Sequence, residues 1–107
     1  MEKKLPKLNG PVKGPVSGIT KSVVILLHGY GANGDDLIGL APALSLALPD
    51  TLFVAPNAPY PCPQNPFGGL QWFNVLEEKH QDKLAEIRVA ASIIDAFVNS
   101  ELKRLGV

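Results

Sequence analysis

The stretch whose residue types and spacing could do chemistry is a glycine-rich loop that follows an apolar run. The segment LLHGYGANGDD, from Leu26 to Asp36, combines one histidine, three glycines and two acids. Its glycines satisfy the spacing G-x-G-x-x-G, which in dinucleotide-binding turns lets a pyrophosphate approach a helix N-terminus; they are Gly29, Gly31 and Gly34. The same loop could expose backbone N–H groups to a charge that develops during acyl transfer, or form a tight strand-to-helix turn.

The acids disfavour the nucleotide interpretation. Asp35 and Asp36 follow the loop where a phosphate would lie, and their charge would repel it and cancel the helix dipole. The acid expected to bind the ribose is also absent, because Pro56 and Asn57 follow the second strand and Asp50 precedes it. A nucleotide-binding fragment is therefore the least favoured function. For the two aspartates, helix capping is favoured over a pair of catalytic acids.

A strand and a helix must hold the loop. Residues 23–27 are a β-branched-rich run without alternation, typical of a strand covered on both faces in a mostly parallel sheet. From Asp35 or Asp36 the apolar residues recur at helical spacing, which predicts one helix that Pro42 bends. Residues 51–55 predict a second buried strand. Strand, helix and strand in this order predict a βαβ unit with a right-handed crossover.

The remaining segments of this single domain, residues 1–107, flank that unit. Residues 1–22 are rich in proline and glycine and predict extended chain or a short edge strand. Residues 56–71 contain five prolines and predict a functional surface loop. A long amphipathic helix that ends at Gly106 is predicted from apolar residues at helical spacing; they are Leu84, Ile87, Ala91, Ile94, Phe97 or Val98, Leu102 and Leu105.

Composition excludes several classes of function. Ten basic residues balance ten acidic ones, and no basic cluster exceeds Lys3 and Lys4, so we expect no nucleic-acid partner. No apolar run approaches the ~20 residues that span a bilayer. A single cysteine and the absence of an apolar signal region predict a cytoplasmic protein. Two distant histidines give no metal-ligand spacing, and we expect neither a metal nor another cofactor.

Three separated motifs carry a resemblance to a known family. They are VILLHGYGANGDDL at residues 24–37, FVAPNAP at residues 53–59 and QWF at residues 71–73. From about Leu8 to its last residue, the chain resembles the phospholipase/carboxylesterase family of α/β-hydrolases, which includes the acyl-protein thioesterases. The resemblance implies an α/β fold: the N-terminal portion of an α/β-hydrolase, with a mostly parallel sheet and helices on both faces. The nucleophile strand and later elements of that fold would be absent.

The same resemblance implies a serine hydrolase that acts on carboxylic esters or thioesters. It assigns one oxyanion N–H group to Tyr30. The surrounding oxyanion loop would comprise His28, Gly29 and Gly31. It also places Trp72 and Phe73 near the cleft as a substrate pocket, although core packing explains these two aromatics equally well.

The catalytic residues of such an enzyme are missing from the sequence. The nucleophile of the fold sits in a G-x-S-x-G elbow, and no such motif occurs. Residues 14–18, around Ser17, are out of register and precede the first strong strand. His28 ends the oxyanion strand and cannot be the base that follows the nucleophile in this fold, so structural hydrogen bonding is favoured for it. His80 is predicted to be a surface residue and Cys62 an incidental thiol; we assign no catalytic residue.

Two functions from different classes remain. The first is a truncated or split serine carboxylesterase or thioesterase-like hydrolase, inactive alone. It would act on an ester or thioester only if another chain supplied the serine, aspartate and histidine. The second is a non-catalytic remnant or interaction module. It would pair with itself or a partner through the edge of strand 23–27 that the nucleophile strand would otherwise cover. Acyl and alcohol specificity stay open in either case.

Overall fold

The main sheet of the computed structural model, which describes residues 5–66 and 68–107, has three strands. They are β1 (Val12–Lys13), β2 (Ser22–Ile25) and β3 (Thr51–Val54). The order is β1-β3-β2, with β3 antiparallel to β1 and parallel to β2. The parallel pair is the one predicted for the βαβ unit, and β1 is the short edge strand predicted in the N-terminal segment.

Burial differs sharply between the two parallel strands. All four residues of β3 are buried, and β3 is the strand with a neighbour on each side. By contrast, residues 23–25 of β2 are half-buried and Leu27 is 45% exposed. The prediction that residues 23–27 form a strand covered on both faces was therefore wrong in extent and in burial. Among the described residues, β2 pairs with β3 alone, so its outer edge and flanks lack the neighbours that would cover them.

The helical segment after β2 is two helices rather than one bent helix. α1 (Gly34–Ile38) and α2 (Ala41–Ala47) are separated at residues 39–40. Pro42 lies in the first turn of α2, where the N–H that proline lacks has no intrahelical partner in any case. Pro42 therefore begins a helix instead of bending one. The cap of α1 is Asn33, not Asp35 or Asp36 as the sequence predicted.

The proline-rich segment carries an antiparallel pair of short strands that the sequence did not predict, β4 (Tyr60–Pro61) and β5 (Leu70–Gln71). It is followed by the predicted long helix, α3 (His80–Leu105), which ends at Gly106 with φ +71°. The buried residues of α3 are Ala90 and Ile93 rather than the predicted Leu84 and Ile87, both 39% exposed. None of the described helices combines the length and the apolar character needed to cross a membrane.

Candidate functional site

The glycine loop after β2 forms a tight turn at residues 29–32. The Ala32 N–H donates to the Gly29 carbonyl at 3.2 Å, and Gly31 has φ +80°, the third-position angle of a type II turn. A side chain at Gly31 would be strained by this angle. Its Cβ would also lie 2.7 Å from the Asn65 amide nitrogen. Gly31 is therefore required by the turn itself.

The β4–β5 hairpin is hydrogen-bonded to this turn. The Gly31 N–H donates to the Leu70 carbonyl and the Leu70 N–H donates to the Ala32 carbonyl, both at 3.0 Å. Gly69, at φ +89°, lies so close that a Cβ there would collide with the Gly31 carbonyl. The hairpin and the glycine loop are thus joined by main-chain contacts.

His28 occupies the base of the loop and is 3% exposed. One ring nitrogen, Nδ1, lies 2.7 Å from the Gly29 carbonyl, and the other, Nε2, lies 2.9 Å from the Ala58 N–H. Because a carbonyl only accepts and an amide N–H only donates, the ring carries its hydrogen on Nδ1. The ring also packs on Trp72, with 5.2 Å between centroids, and the indole N–H donates to the His28 carbonyl at 2.8 Å. These contacts agree with the predicted structural role of His28.

Tyr30 follows the His-Gly pair and presents its main chain at the turn. Within residues 5–66 and 68–107, its N–H donates to no acceptor, whereas the next two N–H groups are both bonded. Its ring is 45% exposed. Partial desolvation, together with the charge and hydrogen bond of the Cys62 thiol, raises the pKa of the Tyr30 hydroxyl. The main-chain N–H of Tyr30 is therefore a donor available to a ligand.

A cavity of about 630 Å³ lies against the loop. Tyr30, Trp72 and Phe73 all line it, so the structure brings the oxyanion residue and the two pocket aromatics of the sequence analysis to one site. Further apolar walls come from the hairpin, from the segment between β5 and α3, and from α3 itself; they include Tyr60, Pro61, Leu76 and Val89. Glu86 also lines the cavity, and its carboxylate accepts a bond from the Asn74 N–H at 3.2 Å. This mostly apolar wall suits an acyl chain.

The start of α1 does not offer the phosphate site that the G-x-G-x-x-G spacing suggested. The Gly34 N–H donates to the Asn57 side chain at 2.7 Å, and the Asp36 N–H donates to the Asn33 side chain at 3.1 Å. The Asp36 carboxylate in turn accepts from the Asn33 N–H at 3.0 Å, which completes a capping box. Three of the N–H groups at this helix start, those of Asn33, Gly34 and Asp36, are therefore already paired within the chain.

The comparisons with known proteins agree with this geometry. Residues 16–106 match the family model described as phospholipase/carboxylesterase. The chain belongs to the phospholipase/carboxylesterase family. Its fold is that of an α/β-hydrolase, which confirms the fold class and the family expected from the three motifs. A solved structure, the crystal structure of esterase PE8, is similar with a TM-score of 0.82 and 43% sequence identity. The match covers 95% of this chain and 48% of that esterase, so the chain spans about half of its length.

In this phospholipase/carboxylesterase chain, the cavity lining does not include Ser17, His80 or Cys62. Ser17 bonds to the main chain of Ile19 at 3.2 Å, and His80 is an exposed residue in the first turn of α3. Cys62 is a buried free thiol that directly follows β4. Among the residues that the structure describes, no three His, Cys, Asp or Glu side chains are grouped so that they could hold a metal ion.

Sequence reasoning missed several residues that fix this family's loop here. Asn33 caps α1, and the Asn57 side chain accepts from the Gly34 N–H. The main-chain N–H of Ala58 donates to His28. The buried Gln71 amide donates to the Pro61 carbonyl at 2.9 Å and so braces the hairpin. Asn33 and Asn57 could have been identified from the sequence, because asparagine is favoured at helix caps and in turns.

Proposed function

We propose that this chain supplies the oxyanion-stabilising half of a serine carboxylesterase or thioesterase-like site, and that residues 1–107 are inactive alone. The observation that carries the proposal is the Tyr30 N–H, which has no acceptor among the described residues and lies on a loop that borders the cavity. Membership of the phospholipase/carboxylesterase family and the similarity to esterase PE8 support it.

The chemistry divides between what this chain holds and what must be added. When a serine oxygen attacks the carbonyl carbon of an ester or thioester, the carbonyl oxygen gains negative charge, and a fixed N–H about 2.7–3.1 Å away stabilises it. The Tyr30 N–H would be that donor, with the acyl group against Trp72 and Phe73. The serine, and the aspartate and histidine that activate it, must come from a segment with a G-x-S-x-G elbow, which residues 1–107 do not contain.

Complementation tests this division. The 107-residue chain is assayed with p-nitrophenyl butyrate alone and after mixing with a fragment of a family esterase that begins at its G-x-S-x-G strand. We expect turnover only in the mixture, and a fluorophosphonate probe should label only the added fragment. Turnover by the 107-residue chain alone, in a preparation where the probe labels no other protein, would show that the proposal is wrong.

A matched pair of variants isolates the Tyr30 N–H. Tyr30→Pro removes the N–H and the ring together, whereas Tyr30→Ala removes the ring and keeps the N–H. Loss of one oxyanion donor costs about 10²–10³-fold in kcat, so Tyr30→Pro should lose that much more than Tyr30→Ala in the complemented enzyme. Melting temperatures of both variants control for damage to the loop. Equal kcat in the two variants contradicts the assigned donor.

A second candidate function rests on the outer edge of β2. The Ser22 and Leu26 N–H groups donate toward the β3 side, to Asp50 and Val54. Strand residues alternate between the two edges, so the main-chain groups of Val23 face the outer edge, which no described strand covers. An interaction module that pairs with a second copy through this edge is the alternative.

Light scattering after size-exclusion chromatography separates this alternative from the esterase half. Edge pairing predicts a dimer that dissociates in a Val23→Pro variant, because proline removes an outward N–H. Val24→Ala, on the β3 side of the strand, is the matched control and should stay dimeric. A wild-type chain that remains a monomer at high micromolar concentration contradicts the interaction module.

A further inference from the structure

We infer that His28 is a positioning residue that aims the Tyr30 N–H; this inference rests on the proposed oxyanion role of that N–H. The Gly29 carbonyl and the Tyr30 N–H belong to the same peptide group. His28 Nδ1 lies 2.7 Å from the carbonyl oxygen of that group. The buried imidazole therefore contacts the oxyanion donor at the opposite end of one rigid unit.

The planarity of the peptide makes this contact directional. The Gly29–Tyr30 bond is trans, so its C=O and N–H point in opposite directions within one plane. The oxygen accepts from His28 Nδ1–H and, at 3.2 Å, from the Ala32 N–H. Two donors on one oxygen fix the peptide plane, and the N–H direction follows. Donation to the oxygen also polarises the peptide, which strengthens the N–H as a donor.

The imidazole is itself held so that it can only donate at this point. The Ala58 N–H occupies Nε2 at 2.9 Å, which leaves the hydrogen on Nδ1. The Trp72 ring lies against the imidazole at 5.2 Å between centroids, and its indole N–H bonds the His28 carbonyl at 2.8 Å. Ring rotation would break both ring bonds in a site that is 3% exposed. Both the tautomer and the orientation of His28 are thus fixed by residues 30 and 44 positions away in sequence.

The peptide needs such a brace because its own side chains do not restrain it. A Cβ at Gly29 would find no heavy atom of residues 5–66 and 68–107 within 4 Å beyond its chain neighbours, so no side-chain packing restrains that residue. The Tyr30 ring is 45% exposed. Without the Nδ1 bond, the Ala32 N–H alone would restrain the carbonyl. The Tyr30 N–H would then point over a wider range and meet the developing charge less often in line.

Two substitutions distinguish the contributions of the hydrogen bonds made by the two ring nitrogens of His28. In His28→Asn the side-chain amide nitrogen lies near the position of Nδ1 and can donate to Gly29, but it cannot reach Ala58. In His28→Gln the side-chain oxygen can reach the Ala58 N–H, with no donor near Nδ1. In the complemented enzyme we expect His28→Gln to lower kcat by about tenfold or more with KM within about twofold, and His28→Asn to retain most of kcat. A merely structural histidine predicts that kcat follows the melting temperature of each variant instead.

NMR of the 107-residue chain gives a readout that does not depend on activity. Long-range ¹H–¹⁵N spectra should show a protonated Nδ1 and an unprotonated Nε2 at His28. The residual dipolar coupling of the Tyr30 N–H should change in His28→Gln and persist in His28→Asn. A hydrogen on Nε2 in the wild-type chain, or a Tyr30 coupling that is unchanged in both variants, overturns the inference. The expected spectra without turnover in any mixture would uphold the positioning and refute the esterase half.

Discussion

Replacing Gly34 by alanine tests why the third glycine of the loop is present. Gly34 is buried at the first residue of α1, and a Cβ there would collide with the main-chain carbonyl of Ala55. It would also lie 3.0 Å from Pro11 Cδ. The carbonyl belongs to the chain that continues the buried strand β3, so the collision must displace α1 and weaken the bond between the Gly34 N–H and Asn57.

Overpacking of this kind costs about 1–3 kcal/mol, and we expect the upper half of that range because main chain is obstructed. Gly39→Ala is the matched control, since a Cβ there meets no atom of the described residues within 4 Å and its φ is −62°. Removing a glycine at such a position stabilises by about 0.4–1 kcal/mol through the unfolded state. Urea unfolding of both variants measures the difference. Equal free energies of unfolding for Gly34→Ala and Gly39→Ala would refute the close approach of α1 to β3.

Three further predictions concern α3 and the loop. Ile93→Ala should lower the free energy of unfolding by about 2–5 kcal/mol, whereas Ile87→Ala should cost far less because Ile87 is 39% exposed; similar losses in urea unfolding would contradict the observed helix face. The pKa of Tyr30, raised by desolvation and Cys62, should fall toward its ordinary value in Cys62→Ala, as followed by NMR. A raised pKa favours the protonated folded state, so stability should be lost as pH rises through that pKa, and less so in Tyr30→Phe.

The βαβ core was predictable because its signal is local. An apolar run, a helical period and a second apolar run specify two parallel strands, and β2 and β3 pair in parallel. The boundary of α1 was not predictable from the same pattern. Asn33 lies between Ala32 and Gly34 and has an extended backbone with φ −156°, so it can cap the helix, while the Asp36 side chain accepts from its N–H at the third helical position. Residue type allowed Asn33, Asp35 or Asp36 to be the N-cap, and the backbone angles of the folded chain place Asn33 there.

The candidate site was predictable in its residues but not in its connections. The motifs indicated Tyr30, Trp72 and Phe73, and all three line one cavity. The Ala58 N–H that sets the tautomer of His28 gave no signal, because main-chain donors are the same in every residue type. Helix periodicity likewise identified apolar positions on α3 without showing that the contacts would fall on Ile93. Contacts between segments that are distant in sequence could be identified only from the folded structure.

The bonds between Leu70 and the turn at residues 31–32 attach the glycine loop to the edge of the two-stranded β4–β5 ribbon. Ala32 and Leu70 form an antiparallel bridge, and Tyr60 and Gln71 continue the same ladder on the other side. The ladder reaches as far as the bond between the Cys62 N–H and the Gly69 carbonyl at 3.1 Å. Residues inserted beyond that last rung would lengthen the cavity wall without shifting the strand register. Sequence changes at the ribbon's tip would therefore alter the shape of the cavity while the Tyr30 N–H keeps its place.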